Sequence, residues 1–104
     1  MQVQVHTDSS IHGSDALTQT VEAAVEDAVR RWTQRITRVE VHLSDVNRQK
    51  GGADDKRCVM EARVGGLQPV AVTHLAGTVP AAIEGAAEKL KKSLESTLGR
   101  LSDR

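Results

Sequence analysis

Two hydrophobic patterns follow one another along this chain: the two-residue alternation of strands and the three- and four-residue steps of amphipathic helices. Their order constrains the fold more than any other sequence feature. Four segments read as half-buried strands, with apolar and polar residues in alternation: 2–6, 36–45, 56–65 and 70–76. Two others place apolar residues at three- and four-residue steps, as amphipathic helices do: 16–33 and a segment that begins near Val79. The predicted order of elements is therefore β-α-β-β-β-α.

This order predicts an α+β fold in a single domain that spans residues 1–104. Three consecutive strands joined by turns favour an antiparallel meander. Two amphipathic helices can cover only one face of a four-stranded sheet, so both are expected to pack on the same face. Ser14 or Asp15 is the expected N-cap of the first helix. Thr78 is that of the second, with Pro80 in its first turn.

The second face of the sheet is expected to stay open to solvent or to a partner. Within residues 37–47, Val39, Val41 and Leu43 point one way, while the polar residues between them point the other. The two-residue repeat of a strand, here called period two, assigns nine residues to the open face: Gln4, His6, Arg38, Glu40, His42, Arg57, Glu61, Arg63 and Thr73. A ligand of this face would therefore meet arginine side chains.

Composition argues against several kinds of protein. Trp32 is the only aromatic residue, which disfavours a single-strand nucleic-acid platform built from stacked rings. No apolar run approaches the roughly 20 residues of a membrane span. Residues 1–8 lack the pattern of a secretory signal. Cys58 is the only cysteine, so no intrachain disulfide is expected, and a cytoplasmic location fits.

Catalytic and metal sites are not expected either. The chain contains four histidines: His6, His12, His42 and His74. None is at ligand spacing from another, so all four are interpreted as surface residues. Cys58 lies on the apolar face of its strand, where a thiol is structural rather than nucleophilic. Asp45, Asp54 and Asp55 lack the spacing of a calcium loop. The sequence thus predicts no enzyme, no cofactor, no metal and no small-molecule substrate.

Charge is balanced overall but unevenly distributed. The chain has 14 basic and 14 acidic residues, so its formal net charge is zero. Residues 1–29 carry five acids and no Lys or Arg, whereas residues 30–57 carry eight bases and four acids. A basic middle segment can present a phosphate-binding patch even in a neutral protein. A mixed, solvated surface is the alternative interpretation.

Basic residues gather in three regions that could contact phosphates. They are Arg30, Arg31, Arg35 and Arg38 after the first helix, Lys56, Arg57 and Arg63 on the third strand, and Lys89 and Lys92 on the last helix. Structured RNA is commonly recognised by shape and backbone, so such a surface needs few aromatic residues. The alternative is local pairing: helix-dipole contacts for the arginines, and ion pairs with Glu84 or Glu88 for the lysines.

Four segments that together cover nearly the whole chain carry a family likeness. They are MQVQVHTD, ITRVEVHLSDVN, KRCVMEARVGG and AAIEGAAEKLKKSLESTLGRL. They resemble the ribosome hibernation-promoting factors, also called ribosome-associated inhibitor A or sigma-54 modulation proteins. The most specific part is the run from Ala81 to Gly85 with Lys89 and Leu90 after it. The resemblance implies a fold similar to a double-stranded-RNA-binding domain.

The resemblance also implies a function. Members of the family bind the small ribosomal subunit between its head and body, where they overlap the paths of mRNA and tRNA, and translation stops by occupancy in stationary phase or stress. The partners implied here are therefore the small subunit and its rRNA, with no membrane. Carried over to this sequence, the rRNA-binding residues would be Arg30, Arg31, Arg38, Arg57, Arg63, Lys89, Lys92 and Arg100.

Two departures from the family pattern keep a second interpretation open. Short members are usually basic, whereas this chain is neutral. Short members also tend to carry extra bases near the end of the last helix, where this chain has Ser96, Thr97 and Leu98. Separately, the chain ends at Arg104 without the extension by which long members pair ribosomes, so autonomous ribosome dimerisation is not expected. The alternative function is a protein-interaction module on the same fold that does not bind rRNA and meets a regulator, or another copy of itself, through the open sheet face.

Overall fold

The structure is a computed structural model that describes residues 1–46 and 55–99. It contains four strands and two helices in the predicted order, so the α+β class is confirmed. The elements are β1 (Gln2–Thr7), α1 (Asp15–Val29), β2 (Ile36–Asp45), β3 (Lys56–Val64), β4 (Val70–Ala76) and α2 (Val79–Leu94). In the part of the chain that the structure describes, no helix is both long and apolar enough to cross a membrane.

The strands form one mixed sheet in the spatial order β1-β2-β3-β4. β1 runs parallel to β2, to which it is joined through α1, and the last three strands form the expected antiparallel meander. The register aligns Val5, Val41, Met60 and Val72 in one row across the sheet. This row faces the helices, so its neighbours along each strand face the other way.

The core lies between this face of the sheet and the two helices. Its fully buried side chains come from β2 and β3 and from the apolar stripes of α1 and α2. They include Val39, Val41, Cys58, Met60, Val21, Val25, Val29, Ile83, Leu90 and Leu94. Burial of each larger aliphatic side chain contributes about 1.5–3 kcal/mol. The two helices therefore pack on one face of the sheet, and the opposite face is left uncovered.

The helix starts agree with the expected caps. The Ser14 hydroxyl accepts a hydrogen bond from the Leu17 amide at 3.1 Å, which makes Ser14 rather than Asp15 the cap of α1. The Thr78 hydroxyl accepts one from the Ala81 amide at 3.2 Å. Both caps satisfy an amide that has no partner within the helix.

The helix ends differ from their predicted positions. The apolar stripe predicts a first helix that continues to Thr33, but α1 ends at Val29 and a 3₁₀ turn follows over Arg30–Trp32. The tighter turn still buries Trp32, which is 7% exposed. α2 passes into a π-helical turn over Glu95–Gly99, which keeps Leu98 buried. In the sequence, the apolar stripe of the last helix extends to Leu101, and the Gly51-Gly52 pair predicts a flexible loop; both lie outside the described residues.

One histidine departs from its predicted surface position. His74 pairs with the core residue Cys58 across β3 and β4, so its ring faces α2. A Cβ atom on Gly85 would collide with that ring. His74 Nδ1 is buried and, among the described residues, lacks a hydrogen-bond partner. Because β4 does not alternate strictly between apolar and polar residues, its sequence alone does not reveal that the histidine faces the helices.

Candidate nucleic-acid interface

The uncovered face of the sheet carries all nine residues that period two assigned to it. Across the four strands, its side chains are Gln2, Gln4, His6, Arg38, Glu40, His42, Ser44, Arg57, Val59, Glu61, Arg63, Ala71, Thr73 and Leu75. Three arginines and two glutamates are the fixed charges. With neutral histidines the face therefore carries a net charge of only about +1.

Glu40 lies at the centre of a cluster of ion pairs on this face. Its Oε2 lies 2.9 Å from Arg38 Nη2 and 3.6 Å from Arg63 Nε. Its Oε1 lies 3.8 Å from His6 Nε2 and 3.9 Å from His42 Nε2. The Glu40 side chain is only 19% exposed, whereas the two histidines are about half exposed. One carboxylate thus contacts four basic side chains from three strands.

The arginines of the face fall into two places. Arg38 and Arg63 pair directly across β2 and β3, and Arg63 also contacts Glu61 at 3.3 Å. Arg57 lies at the other end of β3, between Ser44 and Leu75 of the neighbouring strands. Within residues 1–46 and 55–99, no carboxylate pairs with it. Carboxylates therefore neutralise much of the charge of Arg38 and Arg63, whereas Arg57 has no carboxylate partner among the described residues and can meet a ligand.

Four of the other predicted rRNA-binding residues are described by the structure and lie outside the open face. Arg30 pairs with Asp27 at 3.1 Å on the solvent side of α1. Arg31 lies over the Trp32 ring at 5.1 Å. Lys89 donates to the Thr73 carbonyl at 2.9 Å, at the outer edge of β4. Lys92 is 4.0 Å from Glu88, the expected helical pair. Arg100 lies outside the described residues.

The eight predicted residues therefore do not form one continuous basic surface within the described structure. Arg38, Arg57 and Arg63 share the open face. Lys89 approaches the same sheet only at its β4 edge, and the remaining described bases lie on the helices or the turn after α1. Acidic side chains are interleaved with the arginines at Glu40 and Glu61.

The helix side of the molecule is the less favourable side for a polyanion. α1 contains four acids and no Lys or Arg. A groove of about 600 Å³ runs between α1 and α2, and its lining includes Asp27, Glu84 and Glu88 but only one base, Lys91. Phosphates would be repelled there, so the open sheet face is the better candidate interface.

Two further titratable groups are structural. Desolvation raises the pKa of the buried Cys58 thiol to about 12, so it is not a nucleophile at neutral pH. Hydrogen bonds to Asp55 and then to Asp45 raise the pKa of Lys56, with N–O distances of 2.9 and 3.2 Å. Lys56 thereby ties the end of β2 to the start of β3 rather than offering its charge to a ligand.

Spacing in the sequence does not reveal that His6 and His42 are in contact. His6 and His42 are opposite each other in the parallel pair β1–β2, and their rings stack with centroids 4.6 Å apart. The expected surface positions of both are confirmed. Their contact was not foreseen, because 35 residues separate them and only the strand register brings them together. The usable signal was that both sit at polar positions of strands predicted to share one sheet.

Comparison with known proteins gives a family and a fold. Residues 3–102 match the family described as sigma 54 modulation protein / S30EA ribosomal protein. No curated protein sequence gives a significant match. Among solved structures, a ribosomal subunit interface protein from Coxiella burnetii is similar, with a TM-score of 0.78 at 14% identity, over 95% of this chain and 99% of that one. The N-terminal domain of Thermus thermophilus Protein Y is also similar, with a TM-score of 0.75 at 20% identity, over 93% and 99%.

Proposed function

Because the chain belongs to the sigma 54 modulation protein / S30EA ribosomal protein family, we propose that it binds the small ribosomal subunit and inhibits translation. In this proposal it is a cytoplasmic hibernation factor that acts in stationary phase or stress. It occupies the channel through which mRNA and tRNA pass, so inhibition results from occupancy and requires no catalysis. The family match over residues 3–102 is the observation that carries the proposal.

The open sheet face supports the proposal through its arginines. Arg57 has no carboxylate partner among the described residues, and Arg38 and Arg63 are held beside each other on adjacent strands. Guanidinium groups bind phosphate oxygens in a bidentate manner. Ion pairs at partly exposed positions contribute only about 0–1 kcal/mol. An rRNA phosphate could therefore displace Glu61 from Arg63 at little cost.

The same face also supports a second candidate function, a protein-interaction module. Glu40 and Glu61 neutralise most of the charge of Arg38 and Arg63. Leu75 is 45% exposed on the same face, where it is opposite Arg57 across β3 and β4 and diagonal to Val59. A surface of mixed charges around an apolar residue is typical of a protein contact. Under this alternative the face binds a regulator or a second copy of the chain instead of rRNA.

Co-sedimentation with purified small subunits over a series of salt concentrations tests the first function against the second. The wild-type protein should pellet with the subunits at low salt and be released as salt rises. Arg57→Gln should weaken this binding and flatten the logarithmic salt dependence by about 0.7–0.9, the contribution of one phosphate contact. Lys91→Gln is the control, because it removes the same charge from the helix side. Protein that remains unbound at every salt concentration would favour the module.

Occupancy of the channel needs a separate test. Small subunits preloaded with mRNA and an initiator tRNA should bind the protein more weakly than vacant subunits, and the protein should reduce translation in an extract. Equal binding to both kinds of subunit would place the protein elsewhere on the ribosome. That result would leave ribosome association intact and reject inhibition by occupancy.

A further inference from the structure

We propose that His6, Glu40 and His42 form a binding site for a divalent transition-metal ion, with Zn²⁺ as the type of ion that their ligand atoms suit best. One ligand atom from each residue lies within 4.8 Å of those from the other two. The three residues come from two adjacent strands of a rigid sheet rather than from a loop. Their placement is therefore fixed by the fold.

The strand register creates this arrangement. β1 and β2 are parallel and in register, with Gln4 opposite Glu40 and His6 opposite His42. His6 and His42 are thus direct cross-strand neighbours, and Glu40 lies one period before His42 on the same face. The two imidazole rings are nearly parallel, at 14° to each other. The three ligand atoms therefore lie within 4.8 Å of one another on the open face.

The ligand chemistry fits a borderline metal ion. Neutral imidazole and carboxylate are the usual ligands of Zn²⁺, and two histidines with one glutamate occur as a three-ligand set that leaves a fourth position for water. Zn–N and Zn–O bonds of about 2.0–2.1 Å in tetrahedral geometry place ligand atoms roughly 3.4 Å apart. The Nε2–Oε1 distances of 3.8 and 3.9 Å need close only slightly to reach this geometry.

Neighbouring side chains suit the site as well. Arg38 and Arg63 bind Oε2 of Glu40, which leaves Oε1 directed to the histidines. A metal-ligating carboxylate is commonly held by such outer contacts, which fix its orientation. The His6 and His42 side chains are 47% and 53% exposed, so their rings can rotate to direct both nitrogens at one ion and the ion can enter from solvent.

Isothermal titration calorimetry with Zn²⁺ on the purified full chain, without ribosomes, tests the site. The wild-type protein should bind one ion per chain. His6→Gln and His42→Gln should each weaken binding by at least about tenfold, the lower end of the loss caused by removal of an outer-shell partner. His12→Gln is the matched control, because His12 is exposed beyond the end of β1 on the helix side and should leave the affinity unchanged.

NMR of the imidazole protons gives a second readout on the same samples. Stoichiometric Zn²⁺ should move the His6 and His42 signals and leave those of His12 and His74 in place. The site would be refuted if Zn²⁺ bound the wild type no tighter than the two glutamine variants, or if the His12 signals moved instead. Neither result depends on ribosome binding, so the metal site and the proposed function can fail independently.

Discussion

The contact between Gly85 and His74 explains a glycine inside an otherwise regular helix. Glycine in a helix interior costs about 0.5–1 kcal/mol relative to alanine, so its presence requires a reason. Here the His74 ring of β4 occupies the space where a Cβ atom would lie. The glycine therefore sets how closely α2 approaches the sheet, and it belongs to the segment that carries the most specific family likeness.

Gly85→Ala should destabilise the protein by about 1–3 kcal/mol, the range for overpacking a close contact. The free energy of unfolding in urea measures this. Gly99→Ala is the control, because a Cβ there meets nothing within 4 Å. Removal of the ring should recover part of the loss, so Gly85→Ala should cost less in a His74→Ala background. An equal cost in both backgrounds would show that the ring is not the obstacle.

Cys58 predicts a specific alkaline weakening of the fold. Burial raises its pKa from 9.0 to about 12, so above pH 9.0 the unfolded chain loses the thiol proton while the folded chain keeps it. Stability should therefore fall as pH rises through this window, with a slope of up to about 1.4 kcal/mol per pH unit. Lys56 lowers the stability further only above pH 10.5, its ordinary pKa, because there the unfolded chain loses the Lys56 proton while the folded chain, in which the pKa is raised, keeps it.

Urea unfolding at pH values between 9.0 and 10.5 measures the Cys58 effect before Lys56 contributes. Cys58→Ala should lower stability at neutral pH, because it leaves a cavity, but should unfold with a flatter dependence on pH. Lys56→Met is the comparison, since it keeps the buried thiol and should keep the slope. A slope unchanged in Cys58→Ala would assign the alkaline weakening to other groups.

At the scale of elements, the start of α2 depends on a single hydroxyl. Thr78 accepts from the Ala81 amide, and Pro80 fixes the backbone of the first turn. Thr78→Ala should cost about 1 kcal/mol in the free energy of unfolding, whereas Thr78→Ser should be nearly neutral because it keeps the acceptor. Urea denaturation of the three proteins checks this. Equal losses in both variants would indicate packing of the threonine methyl group rather than capping.

Local pattern was sufficient for the elements but not for all of their ends. The limits of β2 and β4 are those predicted, and β3 ends one residue early, at Val64. The end of α1 was missed because Trp32 continues the apolar spacing of the helix, although a 3₁₀ turn buries it. The π-helical turn after α2 preserves Leu98 in the core, so the four-residue leucine spacing could not reveal it.

At the scale of the whole molecule, the faces of the sheet were predictable and the partners on them were not. Period two alone places Arg38, Glu40 and Arg63 on the open face. Their ion pairs, and the stacking of His6 on His42, depend on the register between distant strands. That register is set by the crossover through α1 and by the packed core. The sequence therefore placed arginines and glutamates on one face and left both a phosphate-binding patch and a mixed surface open, and the structure pairs Arg38 and Arg63 with Glu40 and Glu61.

This interleaving predicts that a single neutral substitution strengthens ribosome binding. Glu61→Gln should raise the affinity for small subunits at low salt, because Arg63 loses its closer carboxylate contact, at 3.3 Å, and keeps only the 3.6 Å contact with Glu40. Its Nη2 atom is then available to a phosphate. The logarithmic salt dependence should steepen by about 0.7–0.9, which corresponds to one additional phosphate contact.

Glu84→Gln is the control, since it makes the same change in net charge within the groove between the helices. Both variants should be compared by co-sedimentation with a chelator that removes Zn²⁺ but leaves the Mg²⁺ that ribosomal subunits need, so that no ion bound by His6, Glu40 and His42 contributes charge. An equal gain in both would show that overall charge steers binding. A gain confined to Glu61→Gln would identify the open face as the surface that meets rRNA, and no gain in either would favour the protein-interaction module.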